Sequence, residues 1–408
     1  MTATERLTSA QPALLKDLNE RAVLDAIRDA APISRAEISR RARISKPTVS
    51  VALQSLLRAG LVREAEEARA GRSYGAVFFE PVPEAALVLG IDIGARFLRG
   101  ALSDLRGTIR ARQDIELDHA GAVELLDAVA RMRDGLVAVS GLPADRIDSV
   151  VTGIPGVVEE ETGRVRLAEN AHGLEGMAVG AELERRLGLP VTVENDVNLA
   201  ALGEHARGLG RGIDDFAFVS VGTGLGAGLV LGGELRRGRH GAAGELDFVR
   251  EADDEDLDPC AAALPALAAR LAAARSADAA AAPATTATTL APPYDPRAIF
   301  AAARAGDPVG CAVVAEEARR IALHIVPIAA VADVALVVLG GGVGRNGDLL
   351  LEPVRAVLAE RLAYPPRVEV SSLGEAAVLI GALAVGLRTA LERVFVDRRH
   401  PERRRAAG

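Results

Sequence analysis

Ser34-Arg-Ala-Glu-Ile-Ser-Arg-Arg-Ala-Arg-Ile-Ser-Lys-Pro-Thr-Val-Ser50 contains two helix starts separated by one tight turn. Ser34 with Glu37 forms a capping box, in which hydroxyl and carboxylate each satisfy a backbone N–H that a first helical turn leaves free. Ile38 and Ala42 then face one side. Arg43-Ile44 makes the turn, Ser45 caps the next helix, and Pro47 stands in its first turn, where a missing N–H does no harm. Val49, Ala52, Leu53, Leu56 and Leu57 form that helix's apolar stripe, and Gly60 ends it. Upstream, Leu14, Leu15, Leu18, Val23, Leu24 and Ile27 predict a helix over 14–31. Downstream, Leu61-Val62-Arg63 and Ala76-Val77-Phe78-Phe79 alternate as two short strands around a polar loop, 64–75, with Gly71 and Gly75. Three helices and a hairpin predict a winged helix-turn-helix over residues 1–80, with Pro81 and Pro83 marking a linker.

Such a unit reads DNA by placing short polar groups at the start of its recognition helix in the major groove. Ser45, Lys46, Thr48, Val49 and Ser50 occupy that turn, and Arg35, Arg40, Arg41 and Arg43 flank it for the phosphate backbone. Arg69 and Arg72 on the wing are placed to reach a minor groove. Charge agrees: residues 1–63 carry 11 Lys and Arg against 6 Asp and Glu, while the remaining 345 residues have a net charge of −13. A basic head on an acidic body is the pattern of a modular binder of double-stranded DNA. The plainer account of that charge is a solvated helical surface.

From Leu87 the pattern turns to α/β. Ala86–Gly94 is a buried strand closing in Asp92-Ile-Gly94, and strand 148–153 runs into Gly153-Ile-Pro-Gly156. Strand 190–195 ends in Glu194-Asn195-Asp196-Val-Asn198, a polar cluster of the kind that lines a cleft at a strand's carboxyl end. A hairpin over 215–233 holds Gly222-Thr223-Gly224, and strand 334–339 ends in Gly340-Gly341-Gly342. Glycine lets backbone N–H groups approach a phosphate, so Asp92, Gly94, Gly222, Thr223, Gly224, Gly341 and Gly342 are candidate nucleotide-type loops. Each alone serves a tight turn equally well. Residues 253–296 stand apart as an acidic run, an Ala-rich tract and Pro/Thr-rich sequence, read as an insertion whose second half is a mobile surface segment. Residues 396–408 form a basic tail.

These motifs, in this order over residues 87 to about 390, resemble the ROK family of repressors and sugar kinases, and with the winged head its repressor branch. The resemblance implies an actin/hexokinase-like α/β body, 87–395, of two ribonuclease-H-type lobes. Lobe 1 spans about 87–195 plus a C-terminal helix 374–395, and lobe 2 about 196–373. It also implies a homodimer or tetramer and a sugar in the cleft, held by Asn170, Asn195, Asp196 and Glu245, with Asp196 matching the kinases' catalytic base. Kinases of the family continue Asp-x-Gly with Gly-Thr, where this chain has Ala95-Arg96. Its zinc site uses a His two residues beyond the position of Leu246 and a three-Cys loop near 255–268. Here Phe248 replaces that His and Cys260 is the one thiol, so no zinc cofactor and no catalysis are expected.

The chain has 408 residues, enough for two or three domains, and two cysteines, too few for a disulfide framework. Its first residues lack the apolar core of a signal peptide, and no apolar run reaches spanning length, so a cytoplasmic protein without membrane attachment is expected. The expectation is a sugar-responsive DNA-binding repressor. The alternatives are an ATP-dependent sugar kinase with a DNA-binding head and a ligand-independent DNA-binding scaffold.

Overall fold

The computed structural model describes residues 3–65, 77–117, 121–168, 173–248, 257–281 and 288–399. The head consists of α1 (Ala3–Ala30), β1 (Ile33–Ser34), α2 (Arg35–Ala42), α3 (Lys46–Arg58), β2 (Val62–Glu64) and β3 (Phe78–Pro81). Both serine hydroxyls cap as expected, Ser34 Oγ accepting from Glu37 N and Ser45 Oγ from Thr48 N, while the Glu37 carboxylate pairs with Arg40 and Arg41. The sheet order β1-β3-β2 adds a strand that the sequence reading lacks, since Ile33–Ser34 is too short to show a period. Pro81 is tolerated in the central strand because β1 pairs only as far as Phe79.

Lobe 1 contains β4 (Leu87–Ile93), β5 (Phe97–Ser103), β6 (Ile109–Glu116), α4 (Ala122–Ser140), β7 (Ile147–Ile154), the ribbon β8 (Val157–Val158) and β9 (Val165–Arg166), α5 (Val179–Leu187) and β10 (Val191–Asn195). Its main sheet has the order β10-β7-β4-β5-β6. α6 (Asp196–Arg207) leads to lobe 2, with β11 (Phe216–Val221), β12 (Leu225–Leu231), β13 (Glu234–Arg236), α7 (Leu264–Ala281), α8 (Pro296–Arg304) and α9 (Pro308–Ala332). β14 (Leu336–Gly340), α10 (Gly341–Gly344), α11 (Gly347–Arg361), β15 (Arg367–Val370) and α12 (Ala377–Arg399) complete the chain. The second sheet runs β13-β12-β11-β14-β15, so the two lobes repeat one architecture: a five-stranded mixed sheet with helices against it.

Three expectations need correction. Residues 257–281 are not an appended insertion, because α7 buries Leu264, Leu267 and Ala268 in the core of lobe 2. The second half of 253–296 is also tied down where described: Thr288 and Thr289 donate to the Asp307 carboxylate, which caps α9. Pro81–Pro83 is not a free linker either. Leu105 N donates to Pro83 O at 2.9 Å, and the head core (Val23, Leu24, Ile27) is continuous with Val88, Leu379, Leu383 and Leu387 of the body. Of the basic tail, Arg398 and Arg399 continue α12, and 400–408 lie outside the described residues.

α6 and α12 cross at glycines. A Cβ on Gly203 would lie 2.3 Å from Ala377 O, and one on Gly381 1.8 Å from Leu199 O, so only hydrogen lets the two backbones meet. Gly374–Arg393 is long and apolar enough by composition to cross a membrane, as is the bent pair α8–α9 taken together. Half of that first segment is buried, packed on β4, β7 and α6.

Candidate ligand cleft and nucleic-acid interface

Parallel pairing brings the strand ends of each lobe to one edge. β4, β7 and β10 run side by side and finish at Ile93, Ile154 and Asn195, while β11 and β14 finish together with Ser220 opposite Gly340. Between these edges lies a cavity of about 890 Å³. It is lined by Asp92, Gly94, Asn195, Asp196, Gly222, Thr223, Gly224, Glu245, Gly341 and Gly342, so the motifs scattered along the sequence converge. Asn170 lies outside the described residues.

The polar, carboxylate-bearing end is built on α6. Asn195 caps the helix by accepting from Asn198 N at 2.9 Å, while its Nδ2 donates to Gly156 O at 3.1 Å and to Glu245 Oε1 at 3.3 Å. Asp196 Oδ1 accepts from its neighbour Val197 N at 2.8 Å, which leaves its other oxygen for a ligand. Burial, then the nearby Asp92 carboxylate, pushes the Asp196 carboxyl up to about 7. Glu245 is also raised, first by burial and then by Asp247. Gly244 allows this approach: its φ is +92° and an added Cβ would lie 1.8 Å from Ala227 O.

The glycine turns form the other wall. A Cβ on Gly222 would meet Gly342 N at 3.3 Å, so the two loops face each other. Gly341 has φ +79°, and an added Cβ would lie 2.2 Å from Val221 O. Backbone N–H groups at such turns suit an anion. The first turn differs. Arg99, directly opposite Asp92 in the β4–β5 pair, donates from Nη1 to Asp92 Oδ2 at 3.2 Å and from Nη2 to Glu375 Oε2 at 3.2 Å. Its guanidinium lies 4.9 Å from the Phe97 ring centroid. Asp92 is still raised to about 6, because burial outweighs the arginine. Arg345 binds the other oxygen of Glu375 at 2.8 Å, so that carboxylate ties lobe 1 to lobe 2. Arg96 turns to Glu116 at 3.0 Å. The sequence reading missed Arg99; its signal was an opposite charge in register across a hairpin.

The residues at the family's zinc position do not fit that metal. Cys260 Sγ donates to Asp247 Oδ1 at 3.5 Å, and Asp247 Oδ2 accepts from Leu225 N at 2.7 Å. Burial, with the Asp258 and Asp247 carboxylates, drives the Cys260 thiol upward, whereas a zinc ligand must be a thiolate. Among the described residues no three His, Cys, Asp or Glu side chains are placed to hold a metal ion.

On the head, Ser45, Lys46 and Pro47 are exposed at the start of α3, with Thr48 and Ser50 half-buried beside them. Arg35, Arg40, Arg41 and Arg43 are exposed around this turn. Arg40 and Arg41 both pair with Glu37, which orients them, and Arg43 takes a left-handed φ of 54° at the end of α2. Val49 does not belong to this face. It is 0 % exposed, because the helical period turns it into the head core with Ile38 and Leu53. Arg69 and Arg72 lie outside the described residues.

The profile of the ROK family matches residues 88–388, and that of the MarR family matches residues 17–73. A xylose repressor from Caldicellulosiruptor bescii is 26% identical over 383 residues, covering 91% of this chain and 96% of that one. A glucokinase from Streptomyces coelicolor is 30% identical over 312 residues, covering 72% of this chain and 96% of its own. Among solved structures, a ROK family transcriptional regulator described as a homolog of the E. coli MLC protein superposes with a TM-score of 0.75. It has 22% identity and covers 94% of this chain and 98% of that one. A Streptomyces griseus ROK glucokinase in complex with glucose and AMPPNP gives 0.62 at 30% identity, covering 74% of this chain and 99% of that one.

Proposed function

The chain belongs to the ROK family, and from that premise we propose that it is a DNA-binding transcriptional repressor of carbohydrate-related genes whose sugar-kinase-like body is a sensor. The observation that carries the sensor reading is a continuous mechanical path. The sugar-type residues Asn195 and Asp196 start α6; α6 crosses α12 backbone to backbone at Gly203 and Gly381; and α12 shares one apolar core with head helix α1. In this reading a sugar accepted by Asp196 and Glu245 closes the lobes and shifts α6 and α12. The two heads of a cytoplasmic homodimer or tetramer then lose their match to operator half-site spacing. The test is operator binding by anisotropy against a sugar panel. One sugar should change affinity in the wild type, and Asp196→Asn should need a higher concentration of it for the same change. If no sugar alters operator affinity, the body is a scaffold.

One observation favours the kinase alternative: a carboxylate near pH 7 is suited to deprotonate an attacking hydroxyl. Against it, Arg99 occupies Asp92, and Ala95 and Arg96 replace the small residues of the first turn. A coupled ATP assay should read background. Turnover near about 1 s⁻¹ on any hexose or pentose makes the chain an enzyme. We also read the chain as free of structural zinc. Metal analysis showing about one tightly held zinc per chain overturns that.

A further inference from the structure

Between head and body lies a second cavity, of about 710 Å³, that the sugar and DNA readings leave without a role. Its walls are α1 of the head, the turn between β5 and β6, the end of α6 and the outer face of α12. Leu24, Leu383 and Leu387 give it an apolar floor. Six arginines line it against two aspartates, Asp25 and Asp29, in a protein whose net charge is −8.

Arg21 pairs with Glu392 at 3.5 Å, and the other arginines are not all neutralised. Arg28 donates from Nε to Leu105 O at 2.8 Å and pairs with Asp25. Its guanidinium is held below the ordinary value, first by burial and in part by the charge of Arg207. Arg106 binds Glu80 at 2.8 Å through Nη2, while its Nε is buried without a hydrogen-bond partner. Arg207, Arg211 and Arg388 line the cavity with no side-chain partner among the described residues. A Cβ on Gly107 would lie 2.3 Å from Arg207 Nη2, so that guanidinium rests directly against the β5–β6 turn.

We propose that this cavity is a binding site for a small organic phosphate, whose anionic group is held by Arg207 and Arg388 and whose remainder lies on the leucine floor. Planar guanidinium groups bind phosphate oxygens in pairs, and a cavity of this size holds a metabolite-scale ligand. Because its walls come from both head and body, an occupant bridges the two. Binding itself does not depend on the repressor reading.

Calorimetry on the full chain with pyrophosphate, ribose 5-phosphate and fructose 1,6-bisphosphate, and ribose as the uncharged control, tests the assignment. At least one of the two sugar phosphates should bind, and more tightly than pyrophosphate, while ribose fails to reproduce it. Affinity should fall about tenfold or more in Arg207→Gln and in Arg388→Gln, since each removes a charge-assisted bond, and it should fall as salt rises. Both side chains are exposed, so folding should be retained, with the thermal melt as control. Asp196→Asn should leave this binding intact. If neither sugar phosphate binds more tightly than pyrophosphate, or if binding is lost in Asp196→Asn and kept in the arginine variants, the proposal is overturned. It is also overturned if Arg207→Gln and Arg388→Gln weaken operator binding equally with no phosphate present, because the arginines would then be holding DNA.

Discussion

Asp196 sets the residue scale. Its carboxyl is raised to about 7, so below that pH it is protonated in the folded protein and above it is a carboxylate. A carboxylate accepts from two sugar hydroxyls, while the acid must spend one oxygen as a donor. Affinity for the responsive sugar should therefore rise as pH increases from about 6 to about 8, and Asp196→Asn should flatten that profile. The same substitution should weaken the sugar roughly tenfold to a hundredfold, the worth of a hydrogen bond to a charged acceptor. Titrating wild type and variant at three pH values checks both, and a flat wild-type profile assigns the binding to another group. Gly341 makes a different prediction. At φ +79° and with Val221 O in the way, Gly341→Ala should destabilise the fold by roughly 1–3 kcal/mol. Denaturant unfolding that shows no loss would contradict the tight approach of the two glycine turns. Asp196 was legible because polar residues crowd the end of an apolar strand. Arg99 was not, because a cross-strand partner appears only once the hairpin register is known.

At the scale of elements, the two faces of α3 should fail in different ways. Lys46→Ala removes an exposed charge, so operator affinity should fall and its salt dependence flatten by a slope of about one. Val49→Ala hollows the head core and should cost about 2 kcal/mol of head stability, with the salt slope unchanged. Anisotropy at several salt concentrations, beside a thermal melt, separates them. α2 and α3 were readable because each carries its own start signal, a capping serine, and α11 falls on residues 347–361 as its pattern requires. α7 was not readable. Its run of alanines has no amphipathic period, and burial of Leu264 and Leu267 is decided by distant parts of lobe 2. β1 is two residues long and exists only because β3 lies beside it.

For the whole molecule, the sequence marks a head and a body by the switch from helical stripes to glycine-punctuated strands. It does not reveal that their cores are continuous. The leucines of α1 and α12 look alike in sequence, and only the fold decides that they face one another. Leu379, Leu383, Leu387 and Leu391 join Val23, Leu24 and Ile27 in one cluster, and Arg21 pairs with Glu392 at 3.5 Å. Differential scanning calorimetry should therefore show head and body melting in one transition. Two well-separated transitions would show that the shared core does not couple them. The apolar cluster that α1 and α12 share around the second cavity also bears on how such proteins are assembled and re-engineered. The first and last described helices lie together, so a head grafted from another regulator arrives with an α1 surface shaped for a different α12. A head swap that leaves α12 unchanged should therefore melt lower than one that also exchanges Leu383 and Leu387, and thermal melts of the two chimeras check it.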